Sequence, residues 1–104
     1  MKPGLPVKFT PQAERQVDEA ARWWRENRSK APDALAEDLA SALELIATQP
    51  GVGAIARSSR LSSVRRVHLH RIGYYLYYRV TSGGSSIVQI VAFWHSSRGA
   101  GPRL

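Results

Sequence analysis

Apolar positions recur with a helical period in the first half of the chain and with a strand period in the second. Ala13, Val17, Ala20, Ala21 and Trp24 fall on one side of a helix, and Glu14, Arg15, Asp18, Glu19, Arg22 and Glu26 cover the rest. Thr10 stands where an N-cap belongs, with Pro11 at the first helical position, so the pattern predicts a helix over residues 11–28. "SKAPDAL" interrupts it: Pro32 cannot continue one helix but suits the first turn of another. A second stripe of Leu35, Leu39, Ala42, Leu43 and Ile46 runs on until "QPG" breaks it. The expectation is a helical hairpin with two apolar stripes in need of a cover.

Strands supply that cover. "LPVKFT" (5–10) predicts a short strand ahead of the first helix, and "AIARSS" a weak one after the second. In "VRRVHLH" (64–70), Val67 and Leu69 alternate with Arg66, His68 and His70. Arg71, Ile72 and Gly73 make a tight connection to "YYLYYRV" (74–80), and "SGGSS" (82–86) turns into "IVQIVAFWH" (87–95), the longest strand and the expected central one. "SSRGAGPRL" (96–104) reads as a tail. The order β-α-α-β-β-β, with short links between the last strands, predicts an α+β fold in which a two-helix hairpin packs on a small antiparallel sheet. The helices cover one face; the other, carrying Arg66, His68, His70, Arg79 and tyrosines, is expected to be basic and partly open. With 104 residues, one domain over 1–104 is the expectation.

Charge sharpens the picture. The net charge of +7 is unevenly spread: residues 1–54 hold all eight acids and sum to −1, whereas residues 55–104 hold eight arginines, no lysine and no acid. A guanidinium grips carboxylate or phosphate with two parallel N–H bonds, so an arginine-only half points to an acidic partner, peptide or nucleic acid. The absence of cysteine excludes disulfides and thiolate chemistry. No apolar run nears the roughly 18 residues of a membrane span, and no leader-like segment follows Met1, so a cytoplasmic protein is expected.

Candidate chemistry lies in the second half. Tyr78, with Leu76 and Val80, suits the core, whereas Tyr75 and Tyr77 are the surface candidates. Trp24 fits the core stripe and Trp23 its border, where it would close the helical hairpin. His68 and His70, two apart on a strand, have a spacing metals can use, but neither cysteine nor carboxylate accompanies them, so neither metal nor cofactor is expected. His95 and Arg98 end the last strand; they face a partner, or they hold the strand end in place, Arg98 capping carbonyls or pairing with Glu14 or Asp18.

Four segments in this order, "VKFTPQAERQVDEAARWW", "ALELIATQPGVG", "VRRVHLHRIGYYLYYRV" and "IVAFWHSSRG", resemble the ParE/RelE superfamily of type II toxin–antitoxin toxins, most closely its ParE-like branch. The resemblance implies a compact toxin held inactive by a ParD-like antitoxin with an acidic C-terminal segment. ParE-like relatives inhibit DNA gyrase, block replication and arrest growth, and serve plasmid stabilisation. On that reading Arg65, Arg66, His68, His70, Tyr75, Tyr77, His95 and Arg98 contact partners, and no residue is catalytic. The alternatives are a RelE-like ribosome-dependent endoribonuclease, using Arg65, His68, His95 and Arg98, and an inactive toxin-like binding module. Active RelE-type members carry strand lysines and a tyrosine close to the C-terminus; this chain has no lysine after Lys30 and no tyrosine after Tyr78.

Overall fold

The computed structural model describes residues 4–57 and 60–104. The elements are β1 (Val7–Phe9), α1 (Pro11–Asn27), α2 (Ala34–Thr48), β2 (Ala54–Ile55), β3 (Arg65–Leu69), β4 (Tyr74–Thr81) and β5 (Ile87–His95), and the strands form one sheet in the order β1-β5-β4-β3-β2. The expected weak strand shrinks to Ala54 and Ile55, and Ser58 and Ser59 of that expectation lie outside the described residues. β5 is the longest strand and interior, but β4 holds the middle place.

The α+β expectation is met, with one correction. The sheet is mixed, because β1 runs parallel to β5, pairing Val7 with Val88 and Phe9 with Ile90. A hairpin turn would have fixed an antiparallel neighbour; β1 leads straight into α1, so its apolar side chains and its backbone bonds to β5 set its place. Val7 and Phe9 thereby join the helix-facing side.

α1 begins as expected: the Thr10 hydroxyl accepts from the Ala13 N–H at 3.1 Å, and the Thr10 N–H donates to the Ile90 carbonyl at 3.0 Å. One bond caps the helix and the other ties its start to the sheet. Trp24 is buried and its indole N–H donates to Ala31 O at 2.7 Å, fastening the interhelical loop. The main core gathers both helix stripes over Leu69, Leu76, Tyr78, Val88, Ile90 and Phe93.

A bulge adds a second core. Tyr77 pairs with Ala92 and Tyr78 with Ile90, leaving Val91 as the extra residue of β5. Val91 and Ala92 both belong to a cluster with Val64 and Tyr77 on the outer face, and Ala56, Leu61, Tyr75, Trp94 and Leu104 pack against it. The outer face is therefore not open across its middle: the segment after β2 and the tail cover it. The uninterrupted "IVAF" run is the mark of a strand buried on both sides.

Candidate partner-binding face

Residues paired directly across a sheet share a face, so the register sorts the candidates. His68 stands opposite Tyr75, itself opposite Trp94; Arg66 stands opposite Tyr77, itself opposite Ala92. These rows form the outer face, and His70 adds its ring at their end, 4.1 Å from that of His68 between centroids. The Arg66 guanidinium lies 4.3 Å from the Tyr75 ring centroid, and it donates a long hydrogen bond of 3.4 Å to the Tyr77 hydroxyl. His68 lies 4.6 Å from the same Tyr75 ring. At the strand end Arg98 is stacked on Trp94 at 4.2 Å. Two cations thus lie on aromatic rings, which removes little of their charge and holds each plane in a fixed attitude.

Tyr77 is a correction. It is only 6% exposed and forms the floor of the outer cluster, with its hydroxyl turned to Arg66. Arg65 departs as well: it stands opposite Tyr78, on the helix-facing side, and donates to Gly53 O at 2.7 Å. Tyr78 is fully buried, as expected; its hydroxyl donates to Pro50 O at 2.7 Å and accepts from the Gly53 N–H at 2.9 Å. Arg65 and Tyr78 therefore knot the 50–53 loop to the sheet, leaving Arg65 little freedom to serve a partner.

His95 also faces the helices. It stands opposite Tyr74, whose ring meets it edge-on at 4.9 Å, and Trp23 approaches from α1 at 6.4 Å. Trp23 is 40% exposed; its ring lies 6.4 Å from that of His95 at the end of β5 and carries the Arg28 guanidinium of the interhelical loop at 5.0 Å. His95 Nδ1 accepts from the Ser97 N–H at 3.2 Å and meets the Ser97 hydroxyl, so the neutral ring carries its proton on Nε2. The Arg98 N–H returns to His95 O at 3.2 Å, closing a tight turn. The "HSSR" ending therefore holds the strand end through turn bonds and an aromatic stack, and Arg98 lies on Trp94 where a pairing with Glu14 or Asp18 was one expectation.

The nuclease set does not converge. Arg65 is engaged at the 50–53 loop, His68 is on the outer face and His95 is on the helix-facing side. Proton transfer at one phosphate needs acid and base within reach of a common point.

Arginine neutralisation by the helices is local. Arg71, in the β3–β4 turn, donates to both carboxylate oxygens of Asp38 at 3.1 and 2.6 Å and to Glu37 at 3.1 Å. Those bonds hold its charge more firmly than in a free side chain. Arg66 and Arg98 instead keep aromatic company. Burial, then the neighbouring His70 and Arg66, pushes the His68 pKa below its ordinary value, so His68 is neutral at pH 7. Among the described residues, His68 Nε2 and Arg79 Nε are buried polar atoms without a hydrogen-bond partner. No group of three or more His, Cys, Asp or Glu among the described residues is placed to hold a metal ion. Among the described residues, no helix is long and apolar enough to cross a membrane.

The site also contains residues the sequence reading passed over. Trp94 is the platform for Arg98 and donates its indole N–H to Ala100 O at 2.8 Å. Val64 and Leu61 roof the outer cluster. Strand alternation placed Trp94 beside Tyr75 in principle, but only once the pairing register was known.

Comparison with known proteins bears on this geometry. No curated protein sequence gives a match. A solved structure described as the chromosomal ParDE TA system from P. aeruginosa is similar, with a TM-score of 0.66 and 22% identity, covering 88% of this chain and 95% of that one. At that identity the likeness speaks to the fold. The family model for the ParE toxin of the type II toxin–antitoxin system, parDE, matches residues 7–99. With everything from β1 through the "HSSR" turn inside that match, the chain belongs to the ParE toxin family of type II toxin–antitoxin systems.

Proposed function

We propose that this toxin inhibits DNA gyrase by occupying a surface of it in the cytoplasm, and that a ParD-like antitoxin neutralises it by laying an acidic segment on the outer face. One observation carries the antitoxin half of this reading. Arg66 presents a ring-backed guanidinium on Tyr75 beside a histidine pair, and Arg98 a second one on Trp94 at the end of β5, in a half of the chain that has no acid of its own. Carboxylates on a mobile partner would find planar N–H donors already held in place, which lowers the entropic cost of binding. Arg66, His68, His70, Tyr75 and Arg98 are the contact residues on this reading, and Arg65, Tyr77 and His95 support them from behind or beside.

Gyrase as target rests on family membership, with geometry in a supporting role: the nuclease candidates lie apart, which favours binding over bond cleavage. Purified gyrase tests it directly. Supercoiling should fall as toxin is added and recover when the antitoxin is supplied. Undiminished supercoiling at saturating toxin would refute the target. Defined cuts within the ribosomal A-site of a translated message would return the endoribonuclease reading. Absence of growth arrest, with antitoxin binding intact, would indicate an inactive module.

A further inference from the structure

The outer apolar cluster already has an occupant, the chain's own tail. Leu104 packs against the cluster that Val64, Tyr77, Val91 and Ala92 form. Between that seat and β5, the tail is held by two side-chain bonds to its backbone: Trp94 to Ala100 O at 2.8 Å, and Gln12 of α1 to Arg103 O at 3.0 Å. A cleft of about 300 Å³ runs beside it, lined by Arg57, Arg66 and Tyr77 and, from the tail, by Gly101, Pro102 and Leu104.

Two features make this a poor permanent occupant. The only charged side chain of residues 99–104 is Arg103, so the tail brings no carboxylate side chain to Arg57 and Arg66, as an acidic segment would. Gly99 and Gly101 adjoin open space, where an added Cβ would meet nothing within 4 Å. The docked conformation does not require glycine there; what glycine supplies is freedom to leave it. Few buried contacts and exposed backbone are the marks of a segment that opens at low cost.

We propose that residues 99–104 are a displaceable strap over a peptide groove, and that an acidic partner segment expels it. The incoming segment seats one apolar side chain where Leu104 lies and sets carboxylates against Arg57 and Arg66. This rests on the reading of the outer face as the antitoxin's. The strap would cover the apolar strip in the free toxin and lower the apparent affinity of the partner by the fraction of time the groove is closed.

Calorimetric titration with the antitoxin tests this on the full chain, on a chain ending at Gly99, and on Gln12→Ala. Gln12→Ala removes only the bond to the Arg103 carbonyl and suits a helix, so it decides the matter if the shortened chain does not fold. The shortened chain should bind on the order of tenfold tighter, the gain for a groove open about a tenth of the time, and Gln12→Ala should show a smaller gain of the same sign. In the full chain, the Trp94 indole N–H resonance should shift at saturation as its bond to Ala100 O is lost. Equal or weaker binding by the folded variants, or an unmoved Trp94 indole signal, overturns the strap while leaving the acidic-partner reading standing. Failure of all three proteins to bind the antitoxin overturns both.

Discussion

Tyr78 and His68 show how much a single side chain decides here. Tyr78 is fully buried, yet its hydroxyl both gives and takes a hydrogen bond, and each partner is a backbone group of the 50–53 loop. Gly53 is needed for that approach, since a Cβ there would stand 2.7 Å from the Tyr78 oxygen. Tyr78→Phe keeps the ring but strands the Gly53 N–H and the Pro50 carbonyl, so urea unfolding should show a loss of about 1–3 kcal/mol. A loss near zero would mean that water replaces both bonds at no cost. His68 gives a pH signature. Its folded pKa is lowered, by burial first and then by His70 and Arg66, so the folded state binds fewer protons than the unfolded state. The associated stability is complete above the unfolded value of about 6.5 and is lost as pH falls through the lower folded value. Urea midpoints at pH 7.5 and 5.0 should therefore fall further for the wild type than for His68→Phe. Equal falls would show that His68 titrates alike in both states.

At the scale of elements, starts and turns set the architecture. Thr10 caps α1 and anchors it to β5, so Thr10→Ala should cost about 1 kcal/mol in thermal or urea unfolding, within the usual range of roughly 0.5–2 for a lost cap. α2 begins differently: Asp33 at its N-cap makes no side-chain cap bond, and Arg71 instead grips Glu37 and Asp38 and reaches Ala34 O at 3.3 Å. Gly73 makes that clamp possible by taking φ of 74° in the turn that carries Arg71. Both helices, the three long strands and the turns were legible in sequence because each depends on local chemistry: a period of apolar positions, a proline, a glycine pair. The parallel place of β1 and the bulge at Val91 were not, since both arise from pairing partners distant in the chain. That bulge is what turns Val91 and Ala92 toward one cluster, and with them Tyr77 became a floor where alternation alone suggested a surface.

Over the whole molecule, the arginine-only half of the sequence resolves into cations with different tasks. The basic bias was visible from composition, and strand alternation placed Arg66 and His68 together. It could not say that Arg65 is taken by the Gly53 carbonyl or Arg71 by α2, because those bonds cross between elements whose packing no local pattern encodes. The distinction yields a comparison in which net charge is not the variable that matters. Removing one arginine from either position weakens the long-range attraction to an acidic antitoxin by a similar amount, since that attraction follows the summed charge. Short-range binding differs: Arg66 offers donors on the outer face, whereas Arg71 has its donors committed to Glu37, Asp38 and Ala34. Arg66→Gln should therefore weaken antitoxin binding by about tenfold, or ~1.4 kcal/mol, and act mainly on the dissociation rate. Arg71→Gln should stay within about twofold and act on the association rate, with its effect disappearing as salt shortens the Debye length. Stopped-flow association and dissociation at low and high ionic strength separate the two. Matching losses at both positions would mean that the partner reads only the overall charge, and that the ring-backed arginines of the outer face have no privileged role.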